Sequence, residues 1–457
     1  MKSINKDILK LAMPSILANI TVPLVGMVDI AVAGHFDVQA ATMIGGIAIG
    51  SMLFDLLYWN FGFLRVGTGG MTAQAYGRQD RKECARILTR SLGISLSCAA
   101  VLIMIQWIFV KAAFLFVECT PDVQELASRY FFIRIWAAPA TLSLMAFKGW
   151  FIGMQDSVSA MTVDLTVNIM NVLMSIVLAL GIHVGDVGIE GMGFVGIPAG
   201  TVVAQYSGLS VAAVLLFVRY RKDTLSQLRI HELKGVFRGE ETRRFFVMNT
   251  DLFVRSLCFI AIYIVFTVIS ARYGDLLLVV CSIMMKLLMI FSYFTDGFAY
   301  AGEALAGRYI GARDGDMLRQ TVKWTFVWSM GVAFLFMLIY GFAGTPMLKM
   351  MTSDAAVVSA SGEYLPWLLL MPIVGCAAFT WDGIYIGATA SKAIRNSMLW
   401  AVVAFVFVWS AGSLVLDQTE NPQTSTLYIH VLMAAYFAHL LARTVYLTVR
   451  YRRNVTI

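Results

Sequence analysis

The sequence predicts an all-α integral membrane protein whose twelve transmembrane helices form two six-helix halves. Of the 457 residues, 59% are hydrophobic and 14% are charged, and the mean hydropathy is +0.75. This composition is far from that of soluble globular proteins. Several runs without a charged residue are also long enough to cross the roughly 30 Å hydrocarbon core of a bilayer.

The twelve spans follow from these apolar runs and from the shorter apolar stretches between polar interruptions. We place them at residues 8–34, 40–65, 87–112, 124–148, 157–181, 191–218, 245–271, 277–304, 320–345, 356–384, 394–416 and 425–448. The first span is too long and too polar at its centre for a signal peptide, so we expect it to be retained.

The distribution of basic residues predicts the orientation in the membrane. With twelve spans both termini share one side, and the loops and tails of that side hold most of the 35 Lys and Arg residues. We therefore expect a multi-pass protein of the bacterial inner (plasma) membrane with both termini in the cytoplasm. The net charge of +7 follows from this topology, and the scattered loop charges predict no nucleic-acid partner.

The longest polar stretch, residues 219–244, separates six spans from six. We predict an N-lobe at 1–218, a cytoplasmic linker at 219–244, and a C-lobe with a basic tail at 245–457. Each half has an even number of spans, so the halves should have the same orientation. They should then be related by a pseudo-twofold axis along the membrane normal.

A weak internal repeat supports the two halves. A shift of 234 residues places the segment Ala75–Asp80 on Tyr309–Asp314, and it also places Gly149–Gly153 on Gly383–Gly387. Two separate motifs that share one shift are unexpected by chance. Parallel repeats of this kind occur in transporters whose two bundles rock against each other.

The most informative polar residue is Asp29, inside the first span. A carboxylate near the bilayer centre costs at least about 2.5 kcal/mol on insertion scales, and such residues usually have a function. Pro23, six residues earlier, removes a backbone hydrogen bond and favours a helix bend. A titratable group beside a bend indicates a helix whose shape depends on whether the acid carries a proton or an ion, as expected of a coupled transporter.

The fifth span carries a polar stripe that consists of Asp164, Asn168, Asn171 and Ser175. These residues fall within about 60° of arc on one helix face. Interhelical hydrogen bonding alone would explain such residues. Their alignment over three turns, with an acid at one end, favours a lined cavity or an ion route.

A second set of charged residues lies in the seventh and eighth spans: Asp251, Arg255, Lys286, Asp296 and Glu303. Asp251 and Arg255 are four residues apart, so a local ion pair is one interpretation. Lys286 is expected to pair with a residue elsewhere in the bundle. Asp382, at the end of the tenth span, is expected to be a loop or cap residue.

Several motifs are absent from the sequence. It contains no phosphate-binding Gly-x-x-x-x-Gly-Lys-Ser/Thr loop, no His/Glu metal motif and no Gly-x-Ser-x-Gly, so we expect neither ATP hydrolysis nor an enzyme. The six cysteines and five histidines have no paired spacing and predict neither disulfides nor a zinc site. No cofactor and no resident metal are expected, and the energy for transport would come from a gradient.

The sequence resembles the multidrug and toxic compound extrusion (MATE) transporters, specifically their DinF-like branch. The segments that carry the resemblance span nearly the whole chain: Pro23–His35, Thr72–Gly77, Gly149–Asp156, Asn249–Arg255, Tyr293–Glu303 and Asp382–Gly387. The resemblance implies a V-shaped pair of six-helix bundles. It also implies export of organic, often cationic, compounds against the entry of protons or sodium ions.

The resemblance further implies roles for individual residues. Asp29 matches the coupling acid of the first helix, and Pro23 matches the bend below it. Asn171 and Thr201 match polar residues of the fifth and sixth helices in the same network. Relatives often place an acid one turn after that asparagine, where this chain has Ser175, so Asp29 is expected to be the principal carboxylate.

These observations together favour an ion-coupled antiporter, with protons preferred over sodium near Asp29. It would export organic cationic or amphipathic compounds by alternating access and act as a monomer in the bilayer. One alternative is a lipid-linked precursor flippase or an organic-anion exporter of the same superfamily. The cationic residues Arg255 and Lys286 are compatible with such an anionic substrate. A remote alternative is a membrane-embedded lipid-modifying enzyme, for which no nucleophile–base pair is recognisable.

Overall fold

The computed structural model describes residues 2–34, 40–115, 117, 119–184, 187–227, 239–352, 354–417 and 424–455. His35 and residues 228–238 of the predicted linker lie outside this set. Within it, twelve helical segments are long and apolar enough to cross a membrane. The predicted all-α membrane fold with twelve spans is confirmed.

The first eight helices include two spans that are each built from two helices. They are α1 (Lys2–Gly34), α2 (Ala40–Trp59), α3 (Phe63–Gly77), α4 (Arg81–Ala113), α5 (Pro121–Arg134), α6 (Ala138–Gly153), α7 (Ser157–Leu180) and α8 (Gly196–Tyr220). The second span continues through α3 to Gly77, well beyond the predicted end at residue 65. Residues 66–75 of α3 are all buried, so protein rather than lipid surrounds this glycine-rich segment and it needs less apolar character.

A short antiparallel hairpin that the sequence did not predict lies between α7 and α8. Its strands are β1 (Gly181–Val184) and β2 (Val187–Glu190). The remaining helices are α9 (Glu240–Ala271), α10 (Asp275–Gly311), α11 (Gly315–Met351), α12 (Ala355–Gly387), α13 (Ser391–Leu416) and α14 (Thr424–Asn454).

The chain divides into two compact units. The N-terminal unit comprises Leu17–Phe246, and the C-terminal unit comprises Val247–Ile457 together with Met1–Ile16. Helix α1 therefore contributes residues to both units. Each unit has its own apolar core, around Phe54 and Phe131 in the N-terminal unit and around Phe291 and Tyr340 in the C-terminal unit.

Four interhelical turns share one backbone conformation, which places a non-glycine residue in the left-handed region. These residues, with their φ angles, are Gln79 (60°), Gln155 (64°), Arg313 (57°) and Thr389 (53°). Such residues are uncommon, yet each one here lies two residues before the first residue of the next helix. The 234-residue shift relates the first to the third and the second to the fourth, so the repeat seen in the sequence extends to backbone geometry.

The glycines of the second repeated motif allow helix backbones to approach closely. A Cβ atom on Gly149 would lie 2.1 Å from the carbonyl oxygen of Arg65, and one on Gly383 would lie 2.1 Å from the carbonyl oxygen of Ala299. Small residues at such contacts are typical of membrane helix packing. The motif thus fixes α6 against α3 in one unit and α12 against α10 in the other.

Asp156 caps the N-terminus of α7 and joins it to the end of α8. Its carboxylate accepts hydrogen bonds from the Ser159 backbone N–H (3.0 Å), the Ser159 hydroxyl (2.6 Å), the Tyr220 hydroxyl (2.8 Å) and the Arg219 guanidinium (2.9 Å). Burial opposes ionisation of this carboxyl, but the donors prevail and hold the pKa of Asp156 below its ordinary value. Asp314 caps α11 through the Met317 N–H (3.0 Å) in the same way.

Asp156→Ala should lower the stability of the protein at pH 7 by about 1–2 kcal/mol, the cost of losing a helix cap with additional donors. The pKa of Asp156 is lower in the folded protein than in the unfolded chain, so its ionised carboxylate stabilises the fold at pH values above about 3.9, the unfolded pKa. This stabilisation is lost as the pH falls through the folded-state pKa. The difference from wild type should therefore shrink in acid. Thermal unfolding of the purified protein in detergent between pH 7 and pH 3 measures it.

The matched control is Asp314→Ala, which removes a cap without the partners supplied by Arg219 and Tyr220. Asp314→Ala should lower the stability by less than Asp156→Ala does at pH 7. Arg219 is 44% exposed, so most of this difference in stability should come from the less exposed Tyr220 contact. Equal midpoints for wild type and Asp156→Ala at pH 7 would contradict this prediction.

Candidate functional site

Asp29 lies in the part of α1 that belongs to the N-terminal unit, and it is 6% exposed. The Ser175 hydroxyl on α7 donates a hydrogen bond to Asp29 Oδ1 at 3.0 Å. Among the described residues, no Lys, Arg or His lies within ion-pair distance of this carboxylate. Ser175, the position at which the resemblance implies an acid in relatives, thus contacts Asp29.

A second pair continues the polar contacts on α7 and α8. The Asn171 side-chain amide donates to the Thr201 hydroxyl at 2.9 Å, and both residues are buried. Gly200 allows this approach, because a Cβ atom there would lie 2.5 Å from the Ser175 backbone nitrogen. Asn171 Oδ1 is buried and has no hydrogen-bond partner in the described part of the chain, so the site retains one acceptor for an incoming donor.

The third polar contact lies on the other side of Pro23. Asn168 donates from Nδ2 to the Thr21 hydroxyl at 2.6 Å. Helix α1 continues through Pro23, and α7 thus contacts α1 both before and after this residue. Only the later contact, at Asp29, includes a titratable group.

Asp164, predicted as part of the same stripe, lies apart from this network. Its Oδ2 atom is 2.6 Å from Lys148 Nζ on α6, and the two side chains are 26% and 23% exposed. Asn168, Asn171 and Ser175 face α1 or α8, whereas Asp164 forms an ion pair with α6. Lys148 lies within α6.

Arg134 is a nearby charged residue that is not among the predicted site residues. Its guanidinium donates to the Tyr130 hydroxyl at 2.9 Å and lies 4.8 Å from the centre of the Phe54 ring. Its positive charge acts on the carboxylate of Asp29. The available signal was an arginine within an apolar span, but the span alone does not identify the carboxylate that it influences.

The charged residues of the C-terminal unit form contacts that differ from the local pair considered from the sequence. Asp251 accepts hydrogen bonds from Arg395 at 2.6 Å and Ser391 at 2.7 Å. Arg255 contacts Asp382 instead, at 2.5 Å. The local pair is therefore wrong: both residues of α9 bind partners on other helices.

Asp382 is not a loop or cap residue, because it lies within α12 and is 6% exposed. One of its oxygens, Oδ2, is 2.5 Å from Arg255 and also 2.5 Å from Arg443 on α14. Arg443 is 1% exposed. This cluster joins α9, α12 and α14.

The other predicted C-lobe residues are distributed along α10. Lys286 is exposed and forms no ion pair within the described ranges, so its expected partner across the bundle is not seen. Asp296 is half-buried, and Glu303 is buried where α10 meets α12. Among the residues that the structure describes, no group of three His, Cys, Asp or Glu side chains could hold a metal ion.

Comparison with known proteins agrees with this architecture. The MatE family model matches residues 14–177 and 252–411. DNA damage-inducible protein F of Escherichia coli is 35% identical over 403 residues, which cover 88% of this chain and 85% of that protein. Probable multidrug resistance protein NorM of Photorhabdus laumondii is 23% identical over 409 residues, covering 86% and 84%.

A solved structure shows the same fold. It is the outward-facing conformation of a multidrug resistance MATE family transporter of the MOP superfamily, and its TM-score to this chain is 0.83. The sequence identity is 13%, and the alignment covers 99% of this chain and 97% of that one.

Proposed function

Because this chain belongs to the MatE family of multidrug and toxic compound efflux transporters, we propose that it is a proton-coupled antiporter of organic cationic or amphipathic compounds. Members of the family move small molecules across a membrane with ion coupling and are transporters rather than enzymes. The proposed direction is export from the cytoplasm by alternating access, with both termini in the cytoplasm and a single chain as the working unit.

The observation that carries the proposal is the contact between Ser175 and Asp29. An ionised carboxylate only accepts hydrogen bonds, whereas a protonated one also donates. Protonation of Asp29 would create a new donor one turn of α7 away from the unpaired Asn171 Oδ1. The hydrogen bonds between α1 and α7 would therefore depend on the proton.

The contact between Thr21 and Asn168 supplies a fixed point for this change. Neither side chain titrates, so α1 stays attached to α7 before Pro23 in both protonation states. Pro23 leaves one backbone carbonyl of the preceding turn without its helical donor, and helices bend most readily at such positions. Protonation would thus change the segment that follows Pro23 while the preceding segment stays in place.

Two features of the site favour protons over sodium ions. The protein oxygens beside the carboxylate come from neutral groups, and Ser175 stands where a second carboxylate would assist a cation. The positive charge of Arg134 also acts on this site and would repel a bound cation. A proton needs only the carboxylate itself.

Transport in proteoliposomes with separately imposed gradients tests the proposal. A fluorescent organic cation should move against an imposed proton gradient, and an equal sodium gradient at uniform pH should produce no transport above that of empty liposomes. Movement driven by sodium alone would overturn proton coupling. An organic anion of similar size, transported in place of the cation, would favour the anion-exporter alternative.

A further inference from the structure

An apolar groove runs between α13 and α14 in the C-terminal unit, and its lining includes none of the charged residues described above. One section has a volume of 640 Å³ and extends from Trp400 and Arg450 at one end to Phe407. Ala404 and Ala442 line the same section. A second section of 460 Å³ continues from Phe407 towards Leu416 and is lined only by apolar residues.

The length of the first section corresponds to one leaflet of a bilayer. On α14 its lining extends from Leu441 to Arg450, which is about 14 Å along a helix. Half of the hydrocarbon core is about 15 Å. Phe407 and Val449 are 71% and 75% exposed, so the lining is open to lipid along this length, and its dimensions suit an acyl chain.

The end of the groove is polar and aromatic. Arg450 is the charged lining residue of this section, and its guanidinium lies 5.6 Å from the centre of the Tyr446 ring. Trp400 lines the same end. Trp and Tyr are enriched at the membrane interface, and an arginine there offers paired N–H donors to a phosphate.

The charge of the two helices favours an anionic headgroup. Neither α13 nor α14 contains an Asp or a Glu, and the last turn of α14 adds Arg452 and Arg453. The cationic part of a zwitterionic headgroup would therefore find no carboxylate on these helices. A net negative headgroup is complementary to them, as at other basic sites beside membrane helices.

We infer that this groove binds an anionic phospholipid from the leaflet at the C-terminal end of α14. One acyl chain would lie between α13 and α14, and the phosphate would contact Arg450. In the predicted orientation this is the cytoplasmic leaflet. The inference does not depend on Asp29, so a transport-deficient Asp29→Asn protein should bind the lipid as wild type does.

Native mass spectrometry of the full chain, purified in detergent and mixed with phosphatidylglycerol or phosphatidylcholine, tests the headgroup. The wild-type protein should retain phosphatidylglycerol in preference to phosphatidylcholine. Arg450→Gln should lose about tenfold in this retention, the effect of one charge-assisted hydrogen-bonded contact. Arg453→Gln, on the same helix but outside the groove lining, is the matched control and should retain the lipid. Equal retention by both variants, or no preference in wild type, would overturn the inference.

A second variant tests the groove itself. Ala442→Trp fills the section beside Phe407 and should reduce retention of the lipid while Arg450 remains. Thermal unfolding midpoints equal to that of wild type would show that Arg450→Gln and Ala442→Trp are folded. If Ala442→Trp is folded and binds phosphatidylglycerol as wild type does, the headgroup contact does not involve the groove and the inference fails.

Discussion

Asp29→Asn should reduce proton-driven efflux to the rate of empty liposomes. Asn has nearly the same size, and its side-chain oxygen can still accept the Ser175 hydrogen bond, so the fold and the local packing should persist. What is lost is the proton that the carboxylate binds and releases. The measurement is the initial rate of organic-cation transport under an imposed proton gradient, with equal amounts of inserted protein.

The matched control is Asp164→Asn, because Asp164 is the acid of α7 in the same unit and its partner is Lys148 rather than Ser175. Its efflux should stay within a few-fold of wild type, since Asp164 pairs with Lys148 on α6 and lies apart from the contact between Asp29 and Ser175. Normal efflux by Asp29→Asn would remove Asp29 from the mechanism. Loss of efflux in both variants would show that the stripe acts as one unit.

Asp382→Ala should destabilise the protein by about 3–5 kcal/mol, the usual cost of removing one partner from a buried ion pair. Arg443 is 1% exposed, and without Asp382 its charge would remain buried beside Arg255, a second cation. We expect poor accumulation in membranes and a marked fall in the unfolding midpoint in detergent.

Asp316→Ala removes an acid from an exposed pair, since Arg319 and Asp316 are 73% and 82% exposed. This control should cost less than about 1 kcal/mol. Replacing Asp382 and Arg443 together by Leu and Met should recover much of the loss, because no buried charge is then left alone at α14. A wild-type midpoint for Asp382→Ala would show that Arg443 is neutralised by another group.

The apolar runs predicted the helices well because a helix surrounded by lipid must be apolar along its length. They did not predict the extent of α3, because protein surrounds this helix and its sequence can be less apolar. Asp29 could be identified from the cost of placing an acid in a membrane. Its contact with Ser175 could not, because residues 146 positions apart meet only through the packing of α1 against α7.

The partners of the C-terminal charges were mispredicted for the same reason. Spacing along one helix favoured a pair between Asp251 and Arg255, but Asp251 binds Arg395, 144 residues away. A buried carboxylate is best stabilised by several donors at once, and α13 offers both Ser391 and Arg395. The spacing of residues within one helix shows which neighbours a side chain can reach in that helix. It does not show which other helix, here α13, supplies a better partner.

The repeated helix contacts have a consequence for how the two halves could be exchanged. A Cβ atom on Gly153 would approach the carbonyl oxygen of Gly69, and one on Gly387 would approach that of Glu303, 234 residues further along in each case. The same helix contact therefore involves Gly69, which has no side chain, in the first half and Glu303, which has a carboxyl group, in the second. A chain made from two copies of the second half would preserve these helix contacts and would have Tyr263, rather than a titratable acid, at the position of Asp29.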